Sequence, residues 1–193
     1  MKRKLGPYRG KPGNKRRKMD EAEYFHRCMM ENEKYPGTFQ FNYSAFLSAA
    51  RSVLQYTHEE AARNKKPEAL KWYEASVRRS KVIRFGRIER DENIHWAPVI
   101  PKTHATVTQN EPIRTGESGA AILAREGRIV KKIPIGSDAD GDDSAPPLFA
   151  EVSYTYTSER WKGDENVLEV CRLYLDELKA LVEGGVSKGY ITW

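Results

Sequence analysis

The sequence contains few of the residues from which metal and redox sites are built. Its 193 residues include two cysteines and four histidines. Cys28 and Cys171 are far apart, and neither has a second Cys or a His at the spacing of metal ligands. We therefore expect a cytoplasmic protein with two reduced, buried or half-buried thiols. We expect no bound metal and no other cofactor.

Long apolar segments and nucleotide-binding motifs are also missing. No stretch approaches the length of a membrane-spanning helix, and no apolar segment follows the basic residues 1–4, as a secretory signal would require. We expect a soluble protein without a membrane partner. The sequence has no Gly-rich phosphate loop, nucleophile elbow or paired-His metal motif. Most nucleotide hydrolases and zinc enzymes are thereby excluded.

Positive charge is abundant and unevenly distributed. The formal net charge is +6, but residues 1–18 contain nine Lys and Arg and no acidic residue. Residues 63–90 contain ten basic and three acidic residues, so the remainder of the chain is acidic on balance. Two basic zones on an acidic body favour a defined polyanion-binding surface over general counterion attraction.

Residues 1–18 are predicted to be a disordered basic tail. They include five Gly and Pro residues, and only Leu5 and Tyr8 could be buried. Burial of two side chains cannot offset the entropy of ordering such a segment. The tail is either a solvated extension or an arm that binds nucleic acid, and in the second case Arg16 and Arg17 are expected to contact RNA.

Four helices are predicted from apolar periodicity. The first is capped by Asp20 and ends before Tyr35-Pro36-Gly37, and the second extends from Asn42 or Ser44 to Asn64. The third begins at Pro67 and continues toward Arg90 with a break near Gly86. The last is capped by Asp164 and ends at Gly184-Gly185. The second and last helices carry the apolar stripes that predict the core: Phe46, Ala49, Ala50, Val53, Leu54 and Ala61, and Val167, Leu168, Cys171, Leu175, Leu178 and Val182.

A small β insertion is predicted between the third and fourth helices. Residues 103–109 alternate as a half-exposed strand would, residues 120–135 indicate a hairpin, and Val152, Tyr154 and Tyr156 mark another strand. The acidic loop at 136–147 lacks the Gly and Glu of an EF-hand and is expected to be solvated. The expected fold is mainly α: a four-helix up-and-down bundle over residues 19–193, with an antiparallel β insertion at about 99–160.

Two Arg–His pairs lie close together in the sequence. Arg90 and His95 have four residues between them, and Arg51 and His58 have six. Residues 51 and 58 share a helix face, whereas residues 90 and 95 lie about 140° apart on a regular helix. Arg90 and His95 can therefore converge only if the helix bends or a second chain completes the site. However, Arg90 ends a basic run where a substrate can reach it, whereas Arg51 lies in a packed helical setting.

Four helices with an Arg-x4-His motif resemble the HEPN (higher eukaryotes and prokaryotes nucleotide-binding) superfamily, and residues 44–52 resemble its second helix. The resemblance covers about residues 20–98 and 164–184. It implies a homodimeric, metal-independent endoribonuclease with a composite active site. Arg90 and His95 would be the catalytic pair and Asp91 the polar neighbour, where the family most often has Asn. Such proteins are often toxins or defence effectors, so an antitoxin or regulatory protein is a possible partner.

RNA is the expected substrate. The resemblance implies that His95 transfers a proton to or from RNA while Arg90 holds the phosphate oxygens. Further RNA contacts are expected from the remaining basic candidates: Arg84, Arg87, Arg51, His58, Arg16 and Arg17. Two alternatives remain open. The protein could be a non-catalytic RNA- or nucleotide-binding module or regulatory subunit, or His95 could merely pack at a helix end beside Trp96.

Overall fold

The computed structural model describes residues 13–95, 98–109 and 150–193, apart from the side chains of His95, Thr108, Gln109, Ala150 and Glu151. Within these ranges the chain is mainly helical with one small two-stranded antiparallel sheet, which confirms the predicted class. The elements are α1 (Asn14–Glu31), α2 (Pro36–Arg63), α3 (Glu68–Arg79), α4 (Lys81–His95), β1 (Lys102–Gln109), β2 (Ala150–Thr157) and α5 (Val167–Ser187). The described part thus has five helices where four were predicted. The predicted hairpin at 120–135 and the acidic loop at 136–147 lie outside the described residues.

The first helix begins at Asn14 and is not capped by Asp20 as predicted. Gly13 precedes it in a left-handed conformation with φ of 89°, which glycine adopts without strain. Residues 14–18, which we expected in the tail, are helical because this turn packs against the protein. Lys15 is buried and forms an ion pair with Glu60 of α2. Residues 1–12 lie outside the described residues.

The second helix also begins earlier than predicted. The first helix ends at Glu31, before Tyr35-Pro36-Gly37 is reached, and Pro36 is itself the first residue of α2. Proline suits this position because the first N–H groups of a helix have no intrahelical acceptor. The predicted apolar stripe of this helix is confirmed: all six of its residues are buried.

The predicted third helix is two helices, and the break lies at Ser80 rather than near Gly86. Ser80 has an extended backbone (φ −78°, ψ 118°) that ends α3. Its hydroxyl oxygen accepts a hydrogen bond of 3.1 Å from the N–H of Ile83, so the same residue caps α4. This cap was not predicted, because glycine at residue 86 is by residue type the stronger helix breaker.

The last helix is capped by Asn166, not Asp164, through a reciprocal capping box with Glu169. It continues past Gly184-Gly185 to Ser187, so the predicted end was wrong. Gly185 is retained inside the helix for close packing, since a β-carbon there would lie 2.6 Å from the ring of Trp72. Of the predicted stripe, Leu168 is half-buried and the other five residues are buried.

The two strands pair directly with each other, Lys102 opposite Thr157 and Gln109 opposite Ala150. The sheet is anchored to the helices by Tyr156, whose ring stacks on Phe39 of α2 with centroids 3.6 Å apart. Its hydroxyl donates to the carbonyl of Glu33 at 2.6 Å. Among the described residues no helix combines the length and apolar character needed to cross a membrane.

Candidate functional site

The predicted catalytic pair lies on α4. This helix is continuous through His95, so residues 90 and 95 lie about 140° apart around its axis. One Nη of Arg90 donates to the Asp91 carboxylate at 3.2 Å, and the Arg90 side chain is 27% exposed. The structure describes the backbone of His95 but not its side chain. The fold therefore does not bring this pair to one helix face, and its catalytic role stays a prediction.

The other Arg–His pair lies on α2, where both residues are half-buried. Tyr73 of α3 packs beside them. The rings of His58 and Tyr73 have centroids 5.2 Å apart at an interplanar angle of 60°. The Tyr73 hydroxyl donates to the carbonyl of Leu54 at 3.1 Å, which fixes the ring against α2. Arg51 and His58 are two helical turns apart on the face that meets Tyr73.

Arg87 of α4 lies close to the same tyrosine, Tyr73. Burial raises the pKa of Tyr73, and the positive charges of Arg51 and Arg87 partly oppose this increase. Both guanidinium groups are therefore close enough to act on one hydroxyl. We refer to Arg51, His58, Tyr73 and Arg87 as the Arg51 cluster. Among the described residues, no carboxylate lies within ion-pair distance of Arg51 or Arg87.

Tyr174 of α5 adjoins the Arg51 cluster from the core side. Its side chain is buried, and burial raises its pKa, while Arg51 and Arg87 again act in the opposite direction. The Tyr174 hydroxyl and the Nε of Arg51 are both buried and have no hydrogen-bond partner among the described residues. Polar groups in such positions are usually satisfied by a partner.

The remaining predicted RNA-binding residues lie on the surface. Arg84 is exposed on α4. On α1, Arg16 lies over the Trp193 ring with its guanidinium carbon 5.4 Å from the centroid, and Arg17 pairs with Glu21 at 3.8 Å. Arg16 and Arg17 therefore already have partners within the chain, whereas Arg84 has no ion-pair partner in the described part.

Sequence reasoning missed a buried network around Glu89. This residue, fully buried on α4, accepts hydrogen bonds from the Tyr43 and Ser158 hydroxyls, each at 3.3 Å, and lies 3.6 Å from an Arg160 nitrogen. The network borders a cavity of about 360 Å³ whose walls include Glu92. In the sequence Glu89 is one acid within a basic run, and only the packing of α4 on α2 shows its burial.

The roles of Tyr73 and Tyr174 were also missed. Tyr73 is buried, and its ring also contacts His58. Tyr174 carried no sequence signal. Of the other two histidines, His26 is a core residue bonded to the Leu168 carbonyl at 3.0 Å, and His104 is exposed beside Thr157.

Comparisons with protein-family models, with curated proteins and with solved structures found no match.

Proposed function

We propose that this protein is a metal-independent endoribonuclease that acts at the Arg51 cluster. The observation that supports this proposal is that Arg51 and Arg87, on different helices, both act electrostatically on Tyr73, whose ring packs against His58. Neither Arg51 nor Arg87 has a carboxylate partner among the described residues, so both charges are available to a phosphate. His58 is half-buried and carries an imidazole, the side chain that most often serves as a general acid or base.

In this mechanism RNA supplies its own nucleophile. His58 accepts the proton of the 2′-hydroxyl, whose oxygen attacks the adjacent phosphorus. The bond to the 5′-oxygen breaks, and that oxygen takes a proton from water. Arg51 and Arg87 bind the non-bridging oxygens, where negative charge increases in the transition state. The products are a 2′,3′-cyclic phosphate and a 5′-hydroxyl end.

We favour the Arg51 cluster over Arg90 and His95 because one chain assembles it. A site made of Arg90 and His95 needs a second chain, since the two positions diverge on a continuous helix. Arg90 is also partly neutralised by Asp91. The homodimeric, composite site implied by the HEPN resemblance thus remains a distinct alternative with its own residues.

We further propose that the helices form the four-helix up-and-down bundle of HEPN-like proteins. In this arrangement α3 and α4 together take the place of one bundle helix that is broken at Ser80. Exposed Arg84 and the basic residues 1–12 would extend the RNA-binding surface beyond the cluster.

A second candidate function is RNA binding without cleavage. A catalytic base is usually oriented by a third group, yet the His58 ring has no hydrogen-bond partner in the described part of the chain. Two unpaired arginines suffice to bind a phosphate. The absence of an orienting partner for His58 therefore favours a binding module.

The decisive experiment is cleavage of labelled single-stranded RNA and tRNA in EDTA. Wild type is compared with His58→Ala, Arg51→Gln, His95→Ala and Arg90→Gln, and His104→Ala serves as a control for loss of an exposed imidazole. We expect His58→Ala to lower the cleavage rate about 10²- to 10⁴-fold, the usual contribution of general acid–base catalysis, with little change in RNA affinity.

The pattern of loss separates the proposals. Loss in His95→Ala and Arg90→Gln, but not in His58→Ala, would place catalysis at the composite site. If a folded wild type binds RNA without cleaving it, the protein is a binding module.

A further inference from the structure

Two buried donor groups beside the Arg51 cluster have no acceptor among the described residues. They are the Nε–H of Arg51 and the hydroxyl of Tyr174. An arginine nitrogen can only donate, and the tyrosine hydroxyl is free to donate. A buried donor without an acceptor destabilises a fold. Two such groups therefore indicate a missing acceptor.

Packing places Tyr174 next to both arginine-bearing helices. Its ring meets Phe46 of α2 edge-on with centroids 6.1 Å apart. On the other side it lies against Gly86 of α4, where a β-carbon would be 2.7 Å from the ring carbon that carries the hydroxyl. Gly86 directly precedes Arg87. The Tyr174 ring therefore lies between α2 and α4, the two helices that carry Arg51 and Arg87.

The charge at this place is unbalanced. Arg51 and Arg87 contribute two positive charges, and no described carboxylate lies within ion-pair distance of either. Glu89, the buried carboxylate on the same helix, is paired with Arg160 and bonded to Tyr43. Half-buried like charges repel each other, so an anion between them would stabilise the arrangement.

We propose that Arg51 of α2, Arg87 of α4 and Tyr174 of α5 form a phosphate-binding site. One phosphate oxygen accepts from the Tyr174 hydroxyl and the Nε–H of Arg51, and Arg87 binds a second oxygen. Arg51 and Arg87 are half-buried, so each side chain is partly accessible to solvent. The inference deepens the proposed function and rests on it only for the source of the phosphate, which is an RNA phosphodiester.

The test is isothermal titration calorimetry of the full chain with inorganic phosphate. Wild type is compared with Tyr174→Phe, which removes one oxygen, and with Arg87→Gln. Lys81→Gln is the matched control, because it removes one positive charge from an exposed position on the same helix. We expect Tyr174→Phe and Arg87→Gln each to weaken phosphate binding about tenfold or more, and Lys81→Gln to change it less than about twofold.

Equal phosphate affinity in wild type and in a folded Tyr174→Phe variant would overturn the proposal, as would the absence of phosphate binding to wild type. If Tyr174→Phe does not fold, Arg51→Lys provides the second test, since it keeps the charge but removes the Nε–H donor. Equal affinity in Arg51→Lys and wild type would equally overturn it.

The same variants separate this inference from the proposed function. Phosphate binding that depends on Tyr174, in a protein that cleaves no RNA, would support the site and refute the ribonuclease. RNA cleavage with phosphate affinity independent of Tyr174 would support the ribonuclease and refute the phosphate-binding site. A parallel titration with a short RNA that has no terminal phosphate tests the source: binding weakened by Tyr174→Phe supports a phosphodiester, and binding unaffected by it restricts the site to free phosphate.

Discussion

Gly86 of α4 lies directly against the ring of Tyr174 of α5. A β-carbon at residue 86 would be 2.2 Å from Cε1 of Tyr174. Two non-bonded carbon atoms in a folded protein do not approach so closely. The helices α4 and α5 can therefore meet here only because residue 86 lacks a side chain. Gly86, where a helix break was predicted, is a packing residue inside a continuous helix.

Gly86→Ala is therefore expected to destabilise the protein. The methyl group must push the Tyr174 ring or separate the two helices, which typically costs about 1–3 kcal/mol. The free energy of unfolding, measured by urea denaturation, should decrease by this amount despite the better helix propensity of alanine.

Gly184→Ala is the matched control. Gly184 also lies inside a helix, but its added β-carbon would be 3.8 Å from the nearest Trp72 atom, an ordinary contact. We expect no loss of stability and a gain of up to about 1 kcal/mol. Equal destabilisation by the two substitutions would contradict the packing explanation for Gly86.

Lys15→Ala tests whether the start of α1 is part of the folded domain. The Lys15 side chain is 3% exposed and pairs with Glu60, so its removal leaves a largely buried carboxylate without its cation. A loss of about 1–3 kcal/mol in the free energy of unfolding is expected. Lys18→Ala removes an ion pair with Glu21 whose lysine is 33% exposed, and should cost less than about 1 kcal/mol. Similar small effects of both would show that residues 14–18 contribute little to folding.

Glu89 should make stability decrease as the pH increases. Burial raises the pKa of this carboxyl above its ordinary value of 4.5, although Arg160, Tyr43 and Ser158 oppose the shift. The folded protein then holds the proton more tightly than the unfolded chain. Its contribution to stability is fully present below the ordinary pKa and is lost as the pH rises through the raised one.

The measurement is the free energy of unfolding of wild type and Glu89→Gln from pH 4.5 to neutral pH. Wild type should lose stability relative to the variant by up to about 1.4 kcal/mol per pH unit within the titration range. Parallel pH profiles would mean that Glu89 titrates with an ordinary pKa.

Arg84→Gln should weaken RNA binding in a salt-dependent way. Arg84 is exposed and has no ion pair in the described part of the chain, so it can contact one phosphate without contributing to folding. The slope of log affinity against log salt for single-stranded RNA should become shallower by about 0.7. An unchanged slope would remove Arg84 from the RNA-binding surface.

Helix faces could be predicted well from local pattern, and helix ends could not. The stripe from Phe46 to Ala61 is buried as predicted, because a period of 3.6 residues is visible in any window of sequence. The helix break at Ser80 and the end of α5 at Ser187 were not predicted, because glycine usually favours the end of a helix. Gly86 and Gly185 instead lie inside helices, each against an aromatic ring on another helix. No local sequence pattern reveals such a contact.

The candidate site was predictable only in part. Arg51, His58 and Arg87 were identified from residue type and spacing, and the sequence showed that residues 51 and 58 share a helix face. It did not show that Arg87, on a different helix, would join them. Tyr73 and Tyr174 had no chemical signature of their own, since an aromatic residue at helical spacing is usually a core residue.

By itself, the sequence determined the helical class, the buried faces of α2 and α5, and the concentration of positive charge before and along α4. These properties depend on residues near one another in the chain. Only the tertiary structure decided that Arg51 and Arg87 would flank Tyr174 without a carboxylate partner in the described residues, and that Glu89 would be buried against Tyr43. Such relationships depend on how close two helices can pack, and here that distance is set by the absence of a side chain at Gly86.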